Sequence, residues 1–383
     1  MSEWRECTLS SVADIQTGPF GSQLHASDYV EYGIPSIMPA NIGENLQIDI
    51  DGIARIRESD AERLGRYLVV ENDIVYSRRG DVEKCAFITT HESGWLCGTG
   101  CLRVRFTSDA ILPKYCAYYL TTDEIKAWVS ANAVGSTMPN LNSTILGHIP
   151  MLIPPLPTQQ AIAEVLSSLD DKISLLTRQN ATLESLAQTY FRQWFVERAS
   201  EEGKLGDYIT LFDSKRIPLS SMEREKKKDG ALYPYYGAAS IMDYINAYIF
   251  DGEYILLGED GTVETAEGYP VLQYVTGKFW CNNHAHVIQA KPPFTNYTLW
   301  CFLRQCSISH IVTGAVQPKI NQENLKSLDI PLITMEDYET INAIAEELFK
   351  KIIMNNAQIQ TLQKLRDALL PKLVSGEVKV KGA

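Results

Sequence analysis

Two stretches of the chain place apolar residues at alternating steps of four and three. From Thr158 these are Ile162, Leu166, Leu169, Ile173 and Leu176, then Leu183, Ala187, Tyr190 and Trp194. From Glu336 they are Ile341, Ile344, Leu348, Ile352, Ile359, Leu362, Leu365, Leu369 and Leu373. A heptad seam of this kind predicts two long helices that pair through it. Thr158, behind Pro154-Pro155-Leu156-Pro157, is the expected cap of the first, and Ser375-Gly376 ends the second. About 40 residues at about 1.5 Å each make a rod of roughly 60 Å. One polar residue breaks each seam, Asn180 and Asn355. Antiparallel pairing with these two level brings Ile162 near Leu373 and Trp194 near Ile341. The expectation is that the two amides hydrogen-bond across the seam and fix its register. The plainer alternative is two displaced, solvated asparagines.

Outside the helices the pattern changes to short runs of period two, bounded by Gly, Pro, Asn and Asp. Ile34 to Met38, Ile74 to Ser77, Ala86 to Ile88 and Leu102 to Phe106 read as strands in the first part of the chain. Tyr244 to Phe250 and Tyr254 to Leu257 do so in the second. Pro113 to Val129 and Tyr297 to Cys306 are more helical. Each part therefore predicts an α+β fold with a mixed or antiparallel sheet.

The two parts also repeat each other. At an offset of 179, Gly135 meets Gly314, Pro139 meets Pro318 and Asn142 meets Asn321. Further on Lys172-Ile173 meets Lys351-Ile352, and Leu186 meets Leu365. Two copies are too few for a solenoid and fit two equivalent halves, each a globular part followed by a long helix. The expected division is 1–157 and 200–335 for the globular parts. Residues 158–199 form a central helix and spacer, 336–376 the second helix and 377–383 a tail.

Composition narrows the class. With 383 residues there is room for two cores. No charged-then-apolar leader opens the sequence and no apolar run approaches membrane length, so a cytoplasmic location is expected. The eight cysteines form no zinc-type pairs. Cys97-x3-Cys101 and Cys281-x2-His284-x-His286 come nearest to ligand clusters, and buried reduced thiols with core histidines are the expectation, with no metal. Net charge is −12, which counts against a simple DNA-coating protein. Residues 1–157 carry 12 basic and 19 acidic side chains, and 203–335 carry 12 and 14. Any nucleic-acid surface must be local.

Four stretches, in order, resemble a known family. They are Gly18-Pro19-Phe20-Gly21-Ser22 with Gly33-Ile34-Pro35; Glu71-Asn72-Asp73-Ile74-Val75-Tyr76-Ser77-Arg78-Arg79-Gly80; Tyr233-Pro234-Tyr235-Tyr236-Gly237-Ala238 with Phe250-Asp251-Gly252-Glu253-Tyr254; and Leu365-Arg366-Asp367-Ala368-Leu369-Leu370-Pro371-Lys372-Leu373. With the repeat, the whole chain is similar to the specificity subunits of type I restriction–modification systems (the HsdS family). A Glu-Gln pair is common at the start of the first helix in that family, where this chain has Gln159-Gln160. The resemblance implies two target-recognition domains joined by an antiparallel coiled coil. It implies a non-catalytic adaptor in which each domain reads one half of a split, asymmetric site on double-stranded DNA. Two modification subunits, holding S-adenosylmethionine, would dock on it, and restriction subunits, using ATP and Mg, would join them. No cofactor is expected in this chain. A site of roughly 13–15 base pairs spans about 45–50 Å at about 3.4 Å per pair, within reach of the rod, so the helices would set the gap.

The expected DNA-facing set is Ser22, Gln23, Arg78, Arg79, Ser136, Thr137, Asn140, Tyr235, Tyr236, Lys278, Gln317 and Lys319. A forked guanidinium at Arg78 or Arg79 suits a phosphate or a guanine edge, Gln317 an adenine edge and Lys319 a phosphate. The alternatives are ordinary: solvated or salt-bridged arginines, loops that merely turn the chain, tyrosines packed in a core. Lys226-Lys227-Lys228 reads as a solvated loop or a phosphate-steering one. An enzyme reading fares worse. Lys291-Pro292-Pro293-Phe294 has the outline of an adenine-methylase motif, but lysine only donates, where that chemistry needs an acceptor for the adenine amino group. Glu223-Arg224-Glu225-Lys226 has a nuclease-like Glu-x-Lys without a partner acid, and Gly98-Thr99-Gly100 is too weak for a nucleotide loop. The remaining alternative is a coiled-coil scaffold whose heads bind proteins without reading DNA sequence.

Overall fold

The computed structural model describes residues 4–380 apart from Glu44, Ser136, Thr137, Ser200 and Ala315. Two compact units form, Met1–Leu175 with Gln358–Ala383, and Leu176–Ala357. The division falls inside both long helices, Leu156–Phe191 and Met335–Val374, because each head's core continues into half of each helix.

In the first unit the strands are β1 (Arg5–Thr8), β2 (Ala13–Thr17), β3 (Tyr29–Val30), β4 (Ile34–Ile37), β5 (Arg55–Ile56), β6 (Ile74–Ser77), β7 (Cys85–Phe87), β8 (Leu96–Cys97), β9 (Cys101–Phe106) and β10 (Pro150–Ile153). They make one sheet in the order β2-β9-β6-β7, a second in the order β3-β5-β4-β8, and a β1-β10 pair. In the second unit β11 (Glu201–Lys204), β12 (Ile209–Leu211), β13 (Tyr233–Tyr236), β14 (Ile241–Ile245), β15 (Phe250–Gly258), β16 (Leu272–Cys281), β17 (Ala285–Ala290) and β18 (Asp329–Leu332) follow. There the order is β12-β17-β15-β16-β13-β14, beside a β11-β18 pair. One plan underlies both. β12, β17 and β15 pair as β2, β9 and β6 do, and the long β16 takes the places of β7 and β8. The parallel pair β4-β8 recurs as β13-β16. All other pairings are antiparallel, so β3-β5-β4-β8 and the six-stranded sheet are mixed, while β2-β9-β6-β7 is purely antiparallel.

The landmarks of the repeat have structural causes. Asn142 and Asn321 each cap a short helix, accepting from the N–H of Ile145 at 2.8 Å and of Asn324 at 2.7 Å. Gly135 and Gly314 sit at φ of +107° and +87°. A Cβ there would lie 2.8 Å from Met138 O and 2.4 Å from Gln317 O, so only glycine fits without a backbone shift. Asn72, in the Glu71-Asn72-Asp73 turn, is also left-handed at φ +72°, a conformation asparagine tolerates better than most residues.

The first long helix begins at Leu156, two residues before the expected cap. Pro155 O accepts from the N–H groups of Thr158 and Gln159, and Pro157 fits the first turn because its missing N–H has no partner to lose there. Gln159 is fully buried. Its amide accepts from Leu112 N at 2.7 Å and donates to Ala110 O and Pro154 O at 2.9 and 2.8 Å, a mixture a carboxylate could not supply. The helix ends at Phe191 and continues as a π turn over Arg192–Val196. That turn brings Phe195, rather than Trp194, fully into the core.

Within each unit the two helices run antiparallel. In the first, Ile162, Leu166 and Ile173 are buried, and Ile162 and Leu166 share a core with Leu373. Leu169, Ile359, Leu362 and Leu369 are half-buried. Leu365 departs from the expectation: it is 46% exposed. In the second unit Leu176, Ile341 and Ile352 are buried, with Leu183 and Leu348 half-buried. Asn180 and Asn355 are both buried and meet. Asn355 Nδ2 donates to Asn180 Oδ1 at 2.8 Å and to Gln179 Oε1 at 3.0 Å, while Asn180 Nδ2 donates to Asn356 Oδ1 at 2.8 Å. A buried amide pair contributes only about 0.5–1.5 kcal/mol per bond, yet a one-residue slip leaves amides unpaired at about 1–3 kcal/mol each. The pair therefore selects register more than it adds stability. Replacing both with Leu is expected to change the oligomeric state or the register, read by light scattering and by cross-linking across the helix pair. A double variant that is merely more stable, with both unchanged, would remove this role.

Six of the eight cysteines are buried and all are free thiols. Burial pushes the thiols of Cys85, Cys97, Cys281 and Cys301 up to about 12, so they stay protonated and inert. No helix among the described residues is long and apolar enough to cross a membrane.

Candidate nucleic-acid interface

In each unit the chain end of one sheet strand, a following turn and the glycine-started loop form a cradle. In the first unit Arg78 N donates to Gly100 O at 2.8 Å, and Leu141 N to Arg78 O at 2.9 Å. Gly80 N reaches Pro139 O at 3.2 Å, and Val134 and Asn140 exchange both backbone bonds across the loop. The second unit repeats all of these. Glu259 N donates to His284 O at 2.8 Å, Ile320 N to Glu259 O at 2.9 Å and Gly261 N to Pro318 O at 3.0 Å, and Thr313 and Lys319 exchange both bonds. Arg78-Arg79-Gly80 and Glu259-Asp260-Gly261 are thus equivalent turns, both with glycine in the left-handed region. The backbone is the same and the charge is reversed.

The side chains differ accordingly. Arg78 spends its Nε on Leu141 O at 3.2 Å. Burial, and then the charge of Arg79 beside it, lower its pKa. Arg79 is exposed, and its side chain makes no hydrogen bond or ion pair among the described residues, while its carbonyl accepts from Ser77 Oγ at 3.1 Å. Asn140 is half-buried and pairs by its backbone with Val134 and Arg79. In the second unit Glu259 meets Arg216 at 2.5 Å and Lys319 at 3.7 Å, and Asp260 pairs with the ring Nδ1 of His284. Gln317 and Lys319 are exposed.

Beneath this loop lies a buried polar knot. His286 places Nδ1 2.6 Å from Asp213 Oδ2 and Nε2 2.9 Å from Ile320 O, so both ring nitrogens face acceptors and the loop's outgoing strand is tied to the sheet. Asp213 also accepts from Val287 N at 3.0 Å and Gln322 Nε2 at 2.7 Å. Burial alone would raise the Asp213 pKa. The hydrogen bond and charge of His286, the Val287 N–H and Arg216 outweigh it and hold the carboxyl low. Asp213, Glu259 and His286 stand close enough to hold an ion, but Arg216 already supplies the positive charge among them. Cys281 is not part of this group; its thiol points to Asn282 O and Ala285 O.

The other expected residues fall in several places. Ser136 and Thr137 lie outside the described residues, as does the side chain of Ser22. Gln23 is half-buried and accepts from Tyr67 OH at 2.7 Å, which commits it to the head's own packing. Tyr235 is a correction to the DNA-facing set. It is 1% exposed, its hydroxyl accepts from Leu219 N at 2.9 Å, and Arg224 covers its ring. β13 is an inner strand, and a base has no path to that ring. Tyr236 is half-buried, edge-on to Phe279 at 5.7 Å. Lys278 is exposed and lies over the rings of Tyr248 and Tyr233, 4.6 and 5.9 Å from their centroids. Tyr244 and Tyr248 are 49% and 43% exposed. Exposed Tyr244 and Tyr248, with half-buried Tyr233, are thus more accessible than Tyr235. The residues missed at the cradle are Asp260 and His284. Aligning the two turns on Gly80 and Gly261 would have revealed them.

Comparison with known proteins agrees with this duplicated plan. The model of the type I restriction modification DNA specificity domain matches twice, over residues 1–185 and 197–364. The MjaIX specificity subunit of Methanocaldococcus jannaschii is 24% identical over 99% of this chain and 94% of its own length. The EcoprrI specificity subunit of Escherichia coli is 24% identical over 90% of this chain and 87% of its own. The crystal structure of the type I S subunit from M. genitalium covers 97% of this chain and 96% of its own with a TM-score of 0.63 at 18% identity, which establishes the shared fold. Two matched domains, each with the same cradle at the end of its sheet and each packed on halves of the same helix pair, make this chain a member of the type I restriction–modification DNA specificity family.

Proposed function

We propose that this chain is the non-catalytic, sequence-reading subunit of a type I restriction–modification complex. Each unit reads one half of a split, asymmetric site on double-stranded DNA. The helix pair sets the gap and docks two modification subunits, which bring S-adenosylmethionine; restriction subunits bring ATP and Mg. The observation that carries this reading is the cradle built twice on one backbone plan with unlike side chains. Two readers of common descent and different chemistry suit a two-part target whose halves differ. The net charge of −12 fits weak DNA binding by the chain alone, with specific binding completed in the complex.

The test is genome-wide mapping of methylated adenine in cells with and without this chain, the modification subunit being present in both. The expected result is a split motif with a fixed gap that disappears on deletion. Unchanged methylation with both proteins expressed would overturn the reading and favour a protein-binding scaffold.

A further inference from the structure

Resting on that reading, we infer that the outward nitrogen groups of the two cradles are equivalent base-reading positions of opposite hydrogen-bond polarity: Arg79 in the first unit reads a guanine edge, and His284, held by Asp260, reads an exocyclic amino group in the other half-site.

The placement argues this first. The backbone bonds that fix the Arg78-Arg79-Gly80 turn have counterparts at Glu259-Asp260-Gly261, so Arg79 and Asp260 occupy the same point of the same cradle. Gly100 holds the place of His284, at φ +89°. A Cβ there would be strained by the left-handed backbone and crowd Pro39 Cγ at 3.1 Å, and with glycine at that position the first cradle presents Arg79 alone. In the second cradle the Arg79 position is a carboxylate. Facing the DNA by itself it would be repelled by phosphate, but it is turned onto the imidazole of the neighbouring turn.

The chemistry follows from the partners. Arg79 is exposed and uncommitted, and a guanidinium carries donors only, so its base target is the O6/N7 acceptor pair of guanine in the major groove. Ionised Asp260 accepts only. The imidazole therefore donates to it through Nδ1, and as a neutral ring it presents the Nε2 lone pair outward. The ring is 45% exposed and Asp260 17%, so the carboxylate serves as the inner support and the ring as the outer contact. A lone pair selects a donor, the N6 amino group of adenine or the N4 amino group of cytosine. Asp260 is a positioning residue in this scheme. The same cradle thus reads acceptors in one half-site and a donor in the other.

The experiment is methylated-adenine mapping with Arg79→Ala, His284→Ala and Asp260→Ala, each co-expressed with the modification subunit, and with His284→Gln as the variant that restores a polar contact at that position. Arg79→Ala is expected to relax a guanine position in one half of the motif by roughly tenfold or more. His284→Ala and Asp260→Ala are expected to relax one adenine or cytosine position in the other half, with His284→Gln retaining part of the preference. A motif that keeps its base preferences while methylation falls evenly at all sites would mean phosphate contacts and overturn the inference. So would changes confined to one half for both Arg79→Ala and His284→Ala, or no change at all. Failure of the functional reading itself looks different: the unsubstituted protein would then give no split motif.

Discussion

Phe195→Ala is expected to destabilise the second unit by about 3–5 kcal/mol, the range for truncating a buried aromatic. The ring is 1% exposed. It stacks on Phe191 at 4.5 Å and on Phe294 at 5.7 Å, and meets Tyr338 at 5.7 Å. These partners come from the first long helix, from the loop before the helix Asn296–Leu303, and from the start of the second long helix. One side chain therefore joins three segments, and no neighbour can fill its volume without breaking a second contact. The core of the first unit shares no residue with this cluster. Hydrogen exchange should accordingly show protection falling within 176–357 and holding in 4–175. An equal fall in both units, or a change below about 1 kcal/mol, would contradict this account of the core.

Arg105→Met is expected to cost the first unit about 2–4 kcal/mol, because it strands a buried carboxylate. Asp73 is 1% exposed. Arg105 grips it with two bonds, Nε to Oδ1 at 2.9 Å and a terminal nitrogen to Oδ2 at 2.6 Å, and also donates to Leu68 O at 3.1 Å. After the substitution only the Val70 N–H, at 2.8 Å, still faces the carboxylate. Arg105 itself is 35% exposed, so water relieves part of the loss, and the figure is set below that of a fully enclosed pair. Adding Asp73→Asn should recover part of the stability, since the stranded charge is then gone. Urea unfolding of the single and double variants measures both steps. A double variant no better than the single would show that the grip on Leu68 O, not the ion pair, dominates.

The helices and the two-part plan were legible because they rest on periodicity and repetition, which a single chain displays. The asparagine pair was legible for the same reason: a polar residue interrupts each seam once. The heptad reading failed at Leu365, where the helix turns that position away from the core and Leu369 with Leu370 takes over. It also missed the π turn that swaps Phe195 for Trp194, since one extra residue per turn leaves no mark on composition. At the two cradles the sequence pointed to the loops that build them but not to all the side chains they present. Tyr233, Tyr235 and Tyr236 look alike in the sequence. Which of them faces water depends on β13 lying between β14 and β16, a long-range pairing that local pattern does not encode. Asp260 and His284 are 24 residues apart and became partners only when β16 and β17 closed their turn beside Gly261.

The division of the chain has a consequence during synthesis. The second unit is one continuous run, Leu176–Ala357, whereas the first needs Gln358–Ala383 to close its core. Leu373 and Val374 are buried against the group that holds Ile162 and Leu166. At roughly 5–20 residues per second, the amino-terminal head waits about 10–40 s after Leu175 is made before its closing segment follows. The later-made unit therefore has all its parts first, and the earlier-made head emerges with an apolar stripe uncovered. A ribosome that stalls or terminates after Ala357 would release a chain with a complete second reader and an open first one, the species most dependent on chaperones and most exposed to proteolysis.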